Sequence, residues 1–168
     1  MKRNIGWLVT VVVAAIIQTT WLDVIKFQGV MPDLILLLVV YFGIADGEER
    51  AMFTALIGGI YQDVSGNYAL GHNVLSLVIV GYVIGRVSTR LIAEHPAVKA
   101  GLVMLAAVAH GTVFTAVWYF QNPDIRPLHT IGVTVIPGAF YTAVLTPVVF
   151  FFLAWSFHRE ELAKGGAI

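Results

Sequence analysis

The chain is 168 residues long, the length of a single domain, yet 58% of it is apolar and only 12% charged, about half the charged share usual in soluble proteins. So much hydrocarbon cannot be hidden in a soluble core, and a formal net charge of zero without any basic block argues against a nucleic-acid partner. The absence of cysteine excludes disulfides, thiolate metal sites and a cysteine nucleophile.

Four stretches carry no Asp, Glu, Lys or Arg at all: Asn4 to Leu22, Val64 to Gly85, Ala100 to Pro123 and Pro127 to Phe157. Each is long enough to cross a hydrocarbon layer of about 30 Å, which takes about 20 helical residues. Lipid offers the backbone no hydrogen-bond partner, so helices are the expected spanning form, and the alternation of a β-barrel is not visible.

In chain order, the first span is expected over residues 5–25. Met1-Lys2-Arg3 before it resembles the start of a signal peptide, but the apolar run is too long and ends without a small-x-small pattern, which predicts an uncleaved signal anchor. The second span, 29–45, is entered through Pro32 and Asp33, with Pro suited to a first helical turn. A polar turn, Asp46-Gly47-Glu48-Glu49-Arg50, leads to a third segment, 51–67, whose apolar part stops at Gln62 and Asp63. It either spans or forms a re-entrant arm. Spans over 70–91, 97–121 and 130–157 follow, the last long enough to tilt or bend at Pro137 and Pro147.

Lysine and arginine decide the ambiguous third segment, because they favour cytoplasmic loops. With six spans the inside holds Lys2, Arg3, Arg50, Arg86, Arg90, Lys99, Arg159 and Lys164, against Lys26 and Arg126 outside. If the third segment failed to cross, the bias would have the wrong sign. The expectation is therefore an all-α, polytopic transmembrane bundle of six spans, a single domain over 1–168, with both termini cytoplasmic. Loops this short leave no soluble domain, so function must reside in the bundle or its turns.

Polar groups in or beside spans are costly and are functional candidates by default. They are Gln18, Asp23, Asp33, Gln62, Asp63, His72, Asn73, Arg86, His110 and Arg126. Asp23, Asp33 and Asp63 fall toward the outer ends of their spans, where together they would make an outward-facing polar site. The simpler reading is helix capping in contact with water. It suits Asp33, in a first turn, better than Asp63, near a helix C-terminus where the dipole disfavours a carboxylate.

No two histidines have the spacing of a helical metal site, and His72 and His110 read as interhelical contacts or helix-end residues. Hydrolase, metalloprotease, phosphate-loop and dinucleotide motifs are absent. Ser76 lies one helical turn from His72 but lacks an oxyanion-hole signature. No catalytic residue, metal or cofactor is expected. Small residues recur at helical spacing: Ala55 with Gly59, Gly81 with Gly85, and Gly101 followed by Ala106 and Ala107. They either pack the bundle internally or offer a face, Gly81 and Gly85 foremost, to a partner's helix.

Read together, Pro32-Asp33-Leu34, the stretch Gly58-Gly59-Ile60-Tyr61-Gln62-Asp63, and Leu70-Gly71 leading through Ser76 to Gly81-Tyr82 and Gly85 form a known pattern. The chain resembles the MreD family of bacterial rod shape-determining proteins over residues 18 to 90, Gln18 included. In the last span, family members often carry Tyr-Asn before a Pro, whereas here Tyr141-Thr142 precedes Pro147 without the Asn.

The resemblance implies a non-enzymatic scaffold in the bacterial inner membrane that binds MreC. Through MreC it would reach RodA, a class B penicillin-binding protein and MreB in lateral peptidoglycan synthesis. It also implies a fold similar to the S components of energy-coupling-factor transporters. That likeness leaves a small-molecule-binding transporter component as the alternative.

Overall fold

The computed structural model describes residues 2–20, 30–66, 70–88, 95–124 and 126–165. Apart from a bridge residue at Val30, the regular structure among them is helical. The helices are α1 (Lys2–Thr20), α2 (Leu34–Asp46), α3 (Glu48–Ser65), α4 (His72–Ser88), α5 (Pro96–Gln121), α6 (Pro127–Thr130) and α7 (Ile136–Gly165). A π-helical turn, Ile131–Val135, joins α6 to α7 without a break, so the described helices form six rods of an all-α bundle.

The last two rods, Pro96–Gln121 and Pro127–Phe157, are each long and apolar enough to cross a membrane. Only 28% and 22% of their apolar windows are buried, the reverse of what a core helix of a soluble protein would show. Leu105, Val148, Phe151 and Phe152 all stand largely exposed on them, a surface suited to lipid.

Helix α2 is the central rod. Ile35 to Val40 are buried one after another, on every side of the helix, because no polar residue interrupts the run. Its 13 residues rise only about 20 Å, since the chain from Met31 to Asp33 is not helical. Pro32 accordingly lies ahead of the N-cap, and the expectation that it opens the first helical turn is not met. The turn from α2 to α3 is a single residue, Gly47, at φ 88°, a left-handed conformation that glycine adopts without strain.

Helices α3 and α4 pack most extensively, and glycine is the reason. A Cβ on Gly59 would stand 2.7 Å from Val74 Cα, and one on Gly85 would collide with the Glu48 backbone. Gly81 sits against the Ala51 carbonyl and Gly58 against Ile35. Gly81 and Gly85 therefore serve internal packing and are not an open face for a foreign helix. Gly101 differs, since nothing lies within 4 Å of where its Cβ would be. It lines a shallow apolar groove between α5 and α7, about 440 Å³ in volume, with Ala97, Ala100, Ala143 and Pro147.

The bend expected at Pro137 takes the form of the π turn before it. A proline ring in an α-helix meets the carbonyl four residues back, here Val133, and the wider turn at Ile131–Val135 relieves that contact. Gly111 on α5 receives the Val135 side chain where any Cβ would clash, so the widened segment lies hard against α5.

Candidate functional site: a polar hub at the end of the bundle

Asp33 is placed by the start of α2, where it is the N-cap and its Oδ1 accepts the Leu36 N–H at 3.0 Å. The same oxygen accepts Gln18 Nε2 from α1 at 3.2 Å and Gln62 Nε2 from α3 at 3.0 Å. Gln18 turns its Oε1 to the Ile35 N–H at 2.9 Å, satisfying a second orphan donor of the α2 first turn. The Asp33 N–H donates to Thr142 Oγ1 of α7 at 3.1 Å, and the Thr142 hydroxyl donates to the Gly138 carbonyl at 2.8 Å. Asp33 Oδ2 faces His110 Nδ1 of α5 at 3.8 Å. One capping residue thus touches α1, α3, α5 and α7 as well as its own helix. Capping and clustering were weighed as alternatives for Asp33; its carboxylate does both.

The imidazole of His110 lies tilted against Phe114 at 6.3 Å between ring centres, and Phe114 lies tilted against His72 at 5.8 Å. Both histidines are interhelical contacts. Gln62 Oε1 and His110 Nε2 are buried without a hydrogen-bond partner among the described residues, so the hub keeps two acceptor or donor positions in reserve.

Asp63 forms a separate arrangement. It is 1% exposed, so it does not face water. Its Oδ2 accepts the Gly71 N–H at 2.8 Å, and its Oδ1 accepts the Asn73 N–H at 2.9 Å and Asn73 Nδ2 at 3.0 Å. A longer contact from the Val74 N–H reaches Oδ2 at 3.4 Å. The carboxylate therefore caps the N-terminus of α4 from the last turn of α3. The unfavourable dipole of its own helix is answered by the favourable one of the next. Gly71, at φ 109°, bends the chain so that these N–H groups converge.

Gln18, Asp33 and Gln62 thus meet in one network, Asp63 joins Gly71 and Asn73, and Pro32 adjoins the first set through the chain. Asp23 lies outside the described residues. Asp33 Oδ1 and both Asp63 oxygens are turned onto the bundle's own donors. Ser76 directs its hydroxyl to the His72 and Asn73 carbonyls at 2.9 and 3.2 Å, so it is not paired with a base. Thr142 was the member that sequence reasoning passed over. The one mark it carries is its place in the last span, where the resembled pattern has Asn.

The family model for rod shape-determining protein MreD matches residues 1–156 of the chain. No curated protein and no solved structure gives a significant match.

Proposed function

The chain belongs to the MreD family of rod shape-determining membrane proteins, and on that premise we propose that it is a non-enzymatic scaffold of the elongasome in the bacterial inner membrane. In this reading both termini are cytoplasmic and the Asp33 hub lies at the outer end of six spans. Its partner is MreC, through which RodA, the class B penicillin-binding protein and MreB are organised for lateral peptidoglycan synthesis.

The observation that carries the reading is the Asp33 hub. Five rods converge on one residue, whose Oδ1 takes donors from α1, α2 and α3, whose N–H is taken by α7 and whose Oδ2 faces α5, which suits a part that holds helices at fixed spacing. A solute binder would instead turn several polar groups into a cavity. The transporter alternative, which rests on the S-component resemblance, is thereby the weaker one.

The MreC transmembrane helix packs, in this proposal, into the groove between α5 and α7. Small side chains there would let a second helix approach closely, and Gly101 has no neighbour of its own to give up. His110 and Thr142 tie α5 and α7 to the hub and so set the width of that groove. Replacing Gly101 by Leu fills the groove without meeting the rest of the bundle. The expected outcome is loss of MreC from affinity-purified Gly101→Leu protein at normal membrane levels, with rounded cells. Undiminished capture and normal rods would reject the groove.

A further inference from the structure

At the opposite end of the bundle, where α1 begins and α2 turns into α3, a cleft of about 540 Å³ opens between the three helices. Arg50 lies across it. Its Nη2 donates to Asn4 Oδ1 at 2.8 Å, its Nε stands 3.8 Å from Asp46 Oδ2, and its guanidinium carbon lies 5.1 Å from the centre of the Trp7 ring. Its Nη1 is buried and has no hydrogen-bond partner among the described residues. A buried guanidinium N–H left unsatisfied is costly, and an anionic oxygen is its best complement.

Asp46 and the exposed carboxylate of Glu49 also border the cleft, so a simple anion would meet repulsion beside the guanidinium. The wall changes character with depth. Asn4, Asp46, Glu49 and Arg50 form the mouth, whereas Trp7 is one turn further along α1, and Phe53 and Ile57 are one and two turns further along α3. Phe53 is 51% exposed along that wall. A ligand that fits therefore carries a negative group and a positive group close together, with hydrocarbon attached behind them.

We propose that this cleft binds a phospholipid with a zwitterionic phosphate–ammonium headgroup, of the phosphatidylethanolamine kind. Its phosphate oxygen lies against the Arg50 guanidinium at the cleft wall, its ammonium lies between Glu49 and Asp46, and an acyl chain follows Phe53 and Ile57. A lipid whose headgroup is only anionic satisfies Arg50 but leaves Glu49 facing a phosphate.

The test uses the full-length chain, reconstituted in nanodiscs of equal phosphatidylethanolamine and phosphatidylglycerol, with lipids retained after partial delipidation counted by native mass spectrometry. The unaltered chain is expected to retain phosphatidylethanolamine about tenfold over phosphatidylglycerol, the ratio of one charge-assisted contact. Glu49→Lys, a change at an exposed side chain, should abolish or reverse that preference with the helical content intact. Arg50→Gln should lower retention of both lipids. Equal retention by the unaltered chain, a preference for phosphatidylglycerol, or a preference that survives Glu49→Lys would overturn the assignment, whether or not the Arg50 variant folds.

Discussion

Asp33 and Asp63 share one property, from which a cost for the amide isostere is expected at either position. Every hydrogen-bonding group around their carboxylates is a donor: amides of Gln18, Gln62 and Asn73, and backbone N–H groups of Leu36, Gly71 and Asn73. An Asn at 63 would turn an NH2 toward one of these donors. Asp63→Asn keeps one acceptor oxygen but sets its NH2 against a buried N–H, and is expected to destabilise the protein by about 1–3 kcal/mol, less than Asp63→Ala, which strips every donor of its acceptor. The check is thermal unfolding of the purified protein in detergent; wild-type stability for the Asn variant would show that the charge is not needed.

Thr142→Val keeps the shape of the side chain but leaves the Asp33 N–H without an acceptor, at a cost of about 1–2 kcal/mol. Thr142→Asn, as in the related pattern, should restore the contact. Unequal residues signalled themselves unequally in the sequence. A carboxylate near a helix C-terminus is anomalous and draws notice to Asp63, whereas a threonine in an apolar helix ordinarily bonds its own preceding turn and gives no sign of a partner 109 residues away.

Among the elements, hydropathy locates the rods well and their ends less well. Helices α3, α4 and α5 begin and end within a few residues of the expected limits, because charged turns and glycines bound them. Helix α2 starts five residues later than the expected 29, since the extended run before Asp33 is as apolar as the helix and only backbone conformation separates them. The π turn was not legible either, although Pro137 marked the place where the helix had to widen.

The glycines divide by what they touch, which spacing alone cannot reveal. Gly59→Ala and Gly85→Ala push against backbone and should each lower stability by about 1–3 kcal/mol, the cost of overpacking. Gly101→Ala meets nothing and should raise it slightly through helix propensity. Unfolding measured across the three variants checks the division, and a destabilised Gly101→Ala would contradict the open groove.

For the molecule as a whole, an all-α membrane bundle was readable from the apolar runs, because lipid permits few other forms. The buried hub was legible only as a list of polar residues, since which of them meet depends on how six rods are arranged, and periodicity carries no such information. In the proposed orientation, taken from the lysine and arginine bias, the end of α3 faces outward and the α2–α3 turn faces the cytoplasm. With no native cysteine to interfere, Ser65→Cys should react with an impermeant maleimide added outside the cell. Glu49→Cys should react only after permeabilisation. The opposite pattern would invert the bundle.

In the proposed assembly the hub fixes how α5 packs on α7, and with it the shallow groove that receives a partner's helix. Single-cysteine variants Gly101→Cys and Val144→Cys in the groove, and Leu8→Cys on the exposed face of α1, can be crosslinked in membranes to cysteines along the MreC transmembrane helix. Adducts are expected from both groove positions and none from position 8. Adducts from position 8 with none from the groove would contradict the proposed assembly.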